Sequence, residues 1–195
     1  DTYHVATAAA MALATAPGYL QNPPDDKAKA GIAQLKQFLR TETPPHDYGR
    51  ALLLWAGSRF PDLLEDAQKQ ELIDMLLSHQ RDDGGWSIRT FAAPEKWGKG
   101  NRAEKLRSEP EFADPPSDGH QTGLAIIVLR EAGVSADDAG IQKGIAWLLA
   151  NQRESGRWWT RSLNTDKWHF ITFSGTAYPL LALQMCDALP RVAVK

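Results

Sequence analysis

Cysteine is nearly missing from this chain: among 195 residues there is one, Cys186. A single thiol excludes an intramolecular disulfide and any cysteine-rich zinc site. Long apolar runs are missing too, and none approaches the roughly 20 residues needed to cross a bilayer as a helix. Charge of one sign is not in excess, since 22 basic residues face 24 acidic ones for a formal net charge of -2. The basic residues do not line one helix face, so no nucleic-acid partner is expected. The chain begins at Asp1 rather than at methionine and shows no signal peptide, as expected of a mature or excised fragment. Its compartment stays open. Sustained strand alternation bounded by turn signals is also absent.

What is present is a repeat. Gln80-Arg-Asp-Asp-Gly-Gly-Trp86 and Gln152-Arg-Glu-Ser-Gly-Arg-Trp158 share the pattern Q-x-x-x-G-x-W. Each follows a stretch with helical apolar spacing, through Leu72, Ile73, Leu76 and Leu77 in the first and Ile141, Ile145, Leu148 and Leu149 in the second. Each motif therefore ends a helix, with Gly84 or Gly156 supplying the turn. A second element recurs as well. Asp118-Gly-His-Gln-Thr-Gly-Leu-Ala125 opens a very apolar helix, and Asp1-Thr-Tyr-His-Val-Ala-Thr-Ala8 opens an Ala-rich one. Further copies start near Asp47 and Ser174. These four carry few charges and should be buried on most faces. The helices between them, near 26–40, 63–80 and 138–151, carry Lys, Gln, Glu and Asp on one side and should be half-exposed. The expectation is a single all-α domain over 1–195, built of about seven antiparallel helices alternating between core and shell. Hydrophobic residues make up 43% of the chain, enough for such a core.

The segment from Lys143 to Trp158 resembles a complete QW repeat of squalene–hopene and oxidosqualene cyclases. The basic residue, the small residue, the aromatic Trp147, Leu148, Gln152, Gly156 and Trp158 all fall in that pattern. His120-Gln-Thr-Gly-Leu-Ala125 is similar to the S-Q-T-A-W-A helix start of those enzymes, and Thr172 to Leu183 is similar to their last helix. The likeness is close from about 118 to 185 and degenerate before 60. It implies an α/α toroid, the partial barrel of inner and outer helices shared with protein prenyltransferases. It also implies a hydrophobic or isoprenoid-like ligand. In that motif Gln80, Gly84, Trp86, Gln152, Gly156 and Trp158 are structural: the amide bonds free backbone groups at helix ends and the indole covers it.

Three departures bear on chemistry. The cyclases protonate an alkene with a D-x-D-D motif, which this chain lacks; Asp82-Asp83 and Asp137-Asp138 lie in turns. Prenyltransferases hold zinc with Asp, Cys and His near inner-helix starts, whereas Cys186 sits at the far end of the last helix. The G-C-G-E-Q motif of thioester-bearing relatives is absent. No cofactor is evident, and no metal ligand set is defined.

Two long loops, 87–118 and 159–171, each follow a Q-x-x-x-G-x-W motif, which should place both on one rim with the N-termini of the inner helices. His4, His46, His120 and His169 map to that rim, with Trp97, Trp168 and Tyr178 beside them. Asp47, Asp118 and His120 are the candidates for acid chemistry there, Asp47 or Asp118 acting as the acid once burial raises its pKa. A rim of helix N-termini also favours anions. The same aspartates read equally as N-caps, and the mixed-charge loop 87–118 reads equally as a solvated excursion. Three functions remain open at this point. One is a binding module for hydrophobic ligands or partners. The second is a cyclase- or lyase-type enzyme using the rim Asp and His. The third is an interaction domain whose open helical edge is covered by upstream sequence or by a second copy.

Overall fold

The structure is a computed structural model that describes residues 2–164 and 170–189. Among these there is no strand; the elements are α1 (Thr2–Thr15), α2 (Asp26–Thr41), α3 (Asp47–Arg59), α4 (Asp66–Ser78), α5 (Ala103–Arg107), α6 (Gly119–Glu131), α7 (Ala139–Ala150) and α8 (Phe170–Met185). Short 3-10 turns cover Ile88–Phe91 and Pro94–Gly100. Seven of the helices match the expected alternation, and α5 is an addition inside the 87–118 segment. Among the described residues no helix is long and apolar enough to cross a membrane. The chain divides into two compact units, Asp1–Leu76 and Leu77–Lys195.

In the first unit α1 packs on α3 and on α2. The α3 helix buries Tyr48, Leu52, Leu53, Leu54 and Ala56, as its shortage of charge requires. The α2 helix buries only Leu39 and keeps its Lys and Gln side in water. The predicted cap of α3 is displaced by one residue. His46 is the N-cap, its Nδ1 accepting from Gly49 N at 3.0 Å, and Asp47 is the first helical residue. Histidine fills the role because its ring nitrogen reaches the amide of the third helical residue as a carboxylate would.

The second unit is built around α6. Every residue from Gly119 to Leu129 is buried, and each aliphatic side chain among them contributes roughly 1.5–3 kcal/mol on leaving water. One face of α6 meets α8 with almost no side chain between. A Cβ on Gly119 would lie 2.5 Å from Gly175 O, and one on Gly123 would lie 2.5 Å from Pro179 N. Glycine is therefore needed at both places, and Pro179, which has no N–H to satisfy, suits the facing position. On another face Ile126 meets α7 through Gly144.

The 87–118 segment is anchored at its two ends and at Leu106, while most of 95–114 is exposed. Ile88, Phe91 and Leu106 are buried. Arg89 and Glu109 form a largely buried two-pronged ion pair, with Nη2 to Oε1 at 2.7 Å. Arg89 Nη1 also donates to Arg161 O at 3.0 Å, tying the segment to the chain that follows the second motif. Of the segment's ion pairs Arg89–Glu109 is the buried one, whereas Arg107 and Glu95 pair at the surface.

Candidate functional site

The two Q-x-x-x-G-x-W turns have the same internal wiring. In the first, Arg81 N donates to Gly85 O and Gly84 N to Arg81 O, both at 2.9 Å; Gly84 has φ +89°. In the second, Arg153 N donates to Arg157 O at 2.9 Å and Gly156 N to Arg153 O at 2.8 Å; Gly156 has φ +78°. Gln80 Nε2 donates to Gly84 O at 2.8 Å, and Gln152 Nε2 to Gly156 O at 3.0 Å. Both indoles are buried. Trp158 Nε1 donates to Leu148 O at 2.7 Å. Trp86 instead fixes α6 through its backbone, its N donating to Thr122 Oγ1 and its O accepting from Asp118 N.

Sequence reasoning passed over Asp83 as a turn residue. Its Oδ1 accepts from Gly85 N at 2.9 Å and Ser117 Oγ at 2.7 Å, and its Oδ2 from Trp147 Nε1 at 3.0 Å. Its position one residue ahead of the glycine pair was the available signal.

Asp118 is the N-cap of α6 and is buried. Its Oδ1 accepts from Gln121 N at 2.9 Å and Thr160 Oγ1 at 3.1 Å, and its Oδ2 from Ile88 N at 2.7 Å. Burial pushes its pKa up to about 6, against the pull of those donors and of the Arg89 charge. A recess of about 160 Å³ lies beside it, lined by Arg89, Ser117, Trp159 and Arg161 among others. His120 is buried as well. Its Nδ1 lies 2.7 Å from Ser174 Oγ, and its ring centroid lies 5.1 Å from that of Tyr178. The structure thus brings Asp118, His120 and Tyr178 into one region, together with Thr160 and Ser174, which the sequence had not singled out.

The start of α6 is not an anion site. Gly119 N donates to Trp159 O, His120 N to Thr160 Oγ1 and Gln121 N to Asp118 Oδ1. The first three amides of the helix are satisfied internally, which removes the donors an anion would use. The side chain of Gln121 is fully buried, and among the described residues neither of its amide atoms has a hydrogen-bond partner.

In the first unit His4 stacks on Tyr48 with centroids 6.3 Å apart, and His46 lies 6.2 Å from the same ring. Burial and the nearby N-terminus lower the pKa of His4. Asp47 is half-exposed and pairs with Arg50 at 3.2 Å. Trp97 sits in the second 3-10 turn and lines a shallow recess with Arg89, Pro94, Leu106 and Phe112. His79 stacks on Phe91 at 4.3 Å. Trp168 and His169 lie outside the described residues. Among the described residues no cluster of His, Cys, Asp and Glu is arranged to hold a metal ion.

A second, more apolar opening lies beside α8. A groove of about 520 Å³ runs between the second motif turn and α8. Trp159 is 50% exposed there, Phe173 69% and Leu180 42%. An open apolar edge was expected, but an α8 that is apolar all round does not show which of its faces stays open. Helix pairs joined by tryptophan-ended turns define the class, an all-α repeat domain of the α/α-toroid type. The family model for the squalene-hopene cyclase C-terminal domain matches residues 47–186, and the chain belongs to that family. Comparison with curated proteins gave no match.

Proposed function

We propose that this domain binds hydrophobic ligands or partners, and that its Asp and His residues serve the fold. The observation that carries this reading is the open groove, where Phe173 and Leu180 of α8 face water beside the exposed Trp159 of the second turn. A concave surface lined by apolar and aromatic side chains with a few polar groups is the usual build of a ligand site. The hydrophobic or isoprenoid-like ligand implied by the family fits its lining. Coverage of the same face by another helical surface, from a second copy or an upstream domain, is the partner form of the same reading. Within these residues no D-x-D-D segment competes with it. The test is titration with the neutral dye N-phenyl-1-naphthylamine, with Phe173→Ser/Leu180→Ser as the variant. Dye fluorescence should rise on binding and fall to background in the variant; equal signals from both proteins would remove the groove from the account.

A second reading, acid-initiated cyclase- or lyase-type chemistry at Asp118, draws on the raised carboxyl beside its recess. It requires that Asp118→Asn abolish turnover of a polyprene substrate while the fold persists. The three donors already held by Asp118 weigh against it, since an acid in use must release them.

A further inference from the structure

The two motif turns have the same wiring but different surroundings. The first turn is covered by α7. A Cβ on Gly84 would lie 2.8 Å from Lys143 O, and one on Gly85 would lie 2.9 Å from the Trp147 ring. Gln80 Nε2 makes a second bond to Gly140 O, at 2.8 Å, near the start of the same helix. On the second turn none of the described residues takes that place. A Cβ on Gly156 would find only its own Gln152 Nε2, at 4.0 Å. The Gln152 amide is exposed and bonds only within its turn. The groove opens on this uncovered face, and its far wall is α8, the inner helix that follows the second turn as α6 follows the first.

Charge differs between the two seats as well. On the first turn the carboxylate of Asp83 receives the Trp147 N–H of the covering helix at 3.0 Å. On the second turn Asp83 is replaced by Ser155 and Gly85 by Arg157, and Arg153 stands across the turn from Arg157. The Arg153 guanidinium lies 5.0 Å over the Trp159 ring. Among the described residues neither arginine is paired with a carboxylate. A guanidinium held over a ring keeps its in-plane N–H groups available to an acid.

We propose that the groove is the seat of an amphipathic helix, placed on the second turn as α7 is placed on the first, that presents a carboxylate to Arg153 and Arg157 where α7 presents Trp147 to Asp83. The inference rests on the groove being a binding surface and names its occupant. The helix brings small residues at the positions of Gly140 and Gly144, which let its backbone approach the turn. It brings apolar ones against Phe173, Ala177 and Leu180. Its acid replaces the indole because the turn's charge is reversed.

The test uses two synthetic helices with the sequence of residues 138–151, each held helical by a lactam bridge between the outward positions 142 and 146. One keeps Trp147 and the other carries Trp147→Glu. Binding is read on the full chain by heteronuclear NMR of the Trp159 indole N–H. The glutamate peptide should bind about tenfold more tightly than the tryptophan peptide, the scale of a charge-assisted pair. That preference should vanish in Arg153→Gln/Arg157→Gln, whose side chains are solvent-facing and whose fold is checked by circular dichroism. Equal affinity of the two peptides would remove the carboxylate. Failure of both peptides while the neutral dye still binds would remove the helix and leave the groove. Failure of peptides and dye together would remove both readings.

Discussion

Replacing Asp118 by asparagine isolates one buried carboxyl and gives a number to check. The carboxylate accepts three hydrogen bonds and donates none, yet it is buried and its pKa is raised from 3.8 to about 6. A folded-state value above the unfolded one means that folding favours the neutral form. That contribution is complete below about pH 4 and is lost as the pH rises through about 6. A shift of about two pH units corresponds to about 3 kcal/mol. Asparagine cannot titrate, so the wild type should lose about 3 kcal/mol relative to Asp118→Asn between pH 4 and pH 7.5. Turning an amide nitrogen toward Ile88 N–H costs the variant about 1–3 kcal/mol, but this offset is constant with pH and cancels in the difference. The assay is urea unfolding of both proteins at several pH values, with stability extrapolated linearly. Parallel stability curves would refute the reasoning, because they would mean that the three donors offset burial completely.

Other substitutions test the rest of the second unit. Gln121→Met should raise stability by about 1–3 kcal/mol in chemical denaturation, because it removes a buried amide with no partner; a loss of that size would show that the amide is bonded in solution. Gly84→Ala should cost about 3 kcal/mol or more, since its Cβ meets Lys143 backbone, whereas Gly156→Ala should cost only the left-handed strain of about 1 kcal/mol. Equal losses in thermal melts of the two variants would mean that the turns have the same surroundings. Glu109→Leu should cost about 3 kcal/mol by leaving Arg89 buried and uncompensated, and Arg89→Met/Glu109→Leu should recover at least half of it; a double variant no better than the single one would make the pair's attraction the larger part.

The helix pairs were legible because their signals are local. The spacing of Ile141, Ile145 and Leu148, the cap Asp118 and the glycine turns each fix a neighbourhood of a few residues. The role of Asp118 as a cap was readable for the same reason. The rest depends on contacts far apart in sequence. Thr160 and Ser174 acquire meaning only when the chain after the second motif returns to α6, and Arg89 finds Glu109 only once the 87–118 segment folds back. The anion site expected at the inner-helix starts fails at α6 because Trp159 O and Thr160 Oγ1 arrive there first. The groove was hidden for a different reason. Hydrophobic periodicity shows that α8 has apolar faces, but only the packing of α6 and α7 shows which of them remains open.

The account turns on where a hydrophobic ligand meets the protein. The most direct measurement is chemical-shift mapping of the full chain with the neutral dye, reading the Trp159 indole, the Leu180 methyls and the Ala177 methyl together with the His120 and Tyr178 rings. Shifts confined to Trp159, Ala177 and Leu180 are expected. Shifts centred on His120 and Tyr178, with Trp159 unmoved, would place the ligand at the α6 rim and contradict the account.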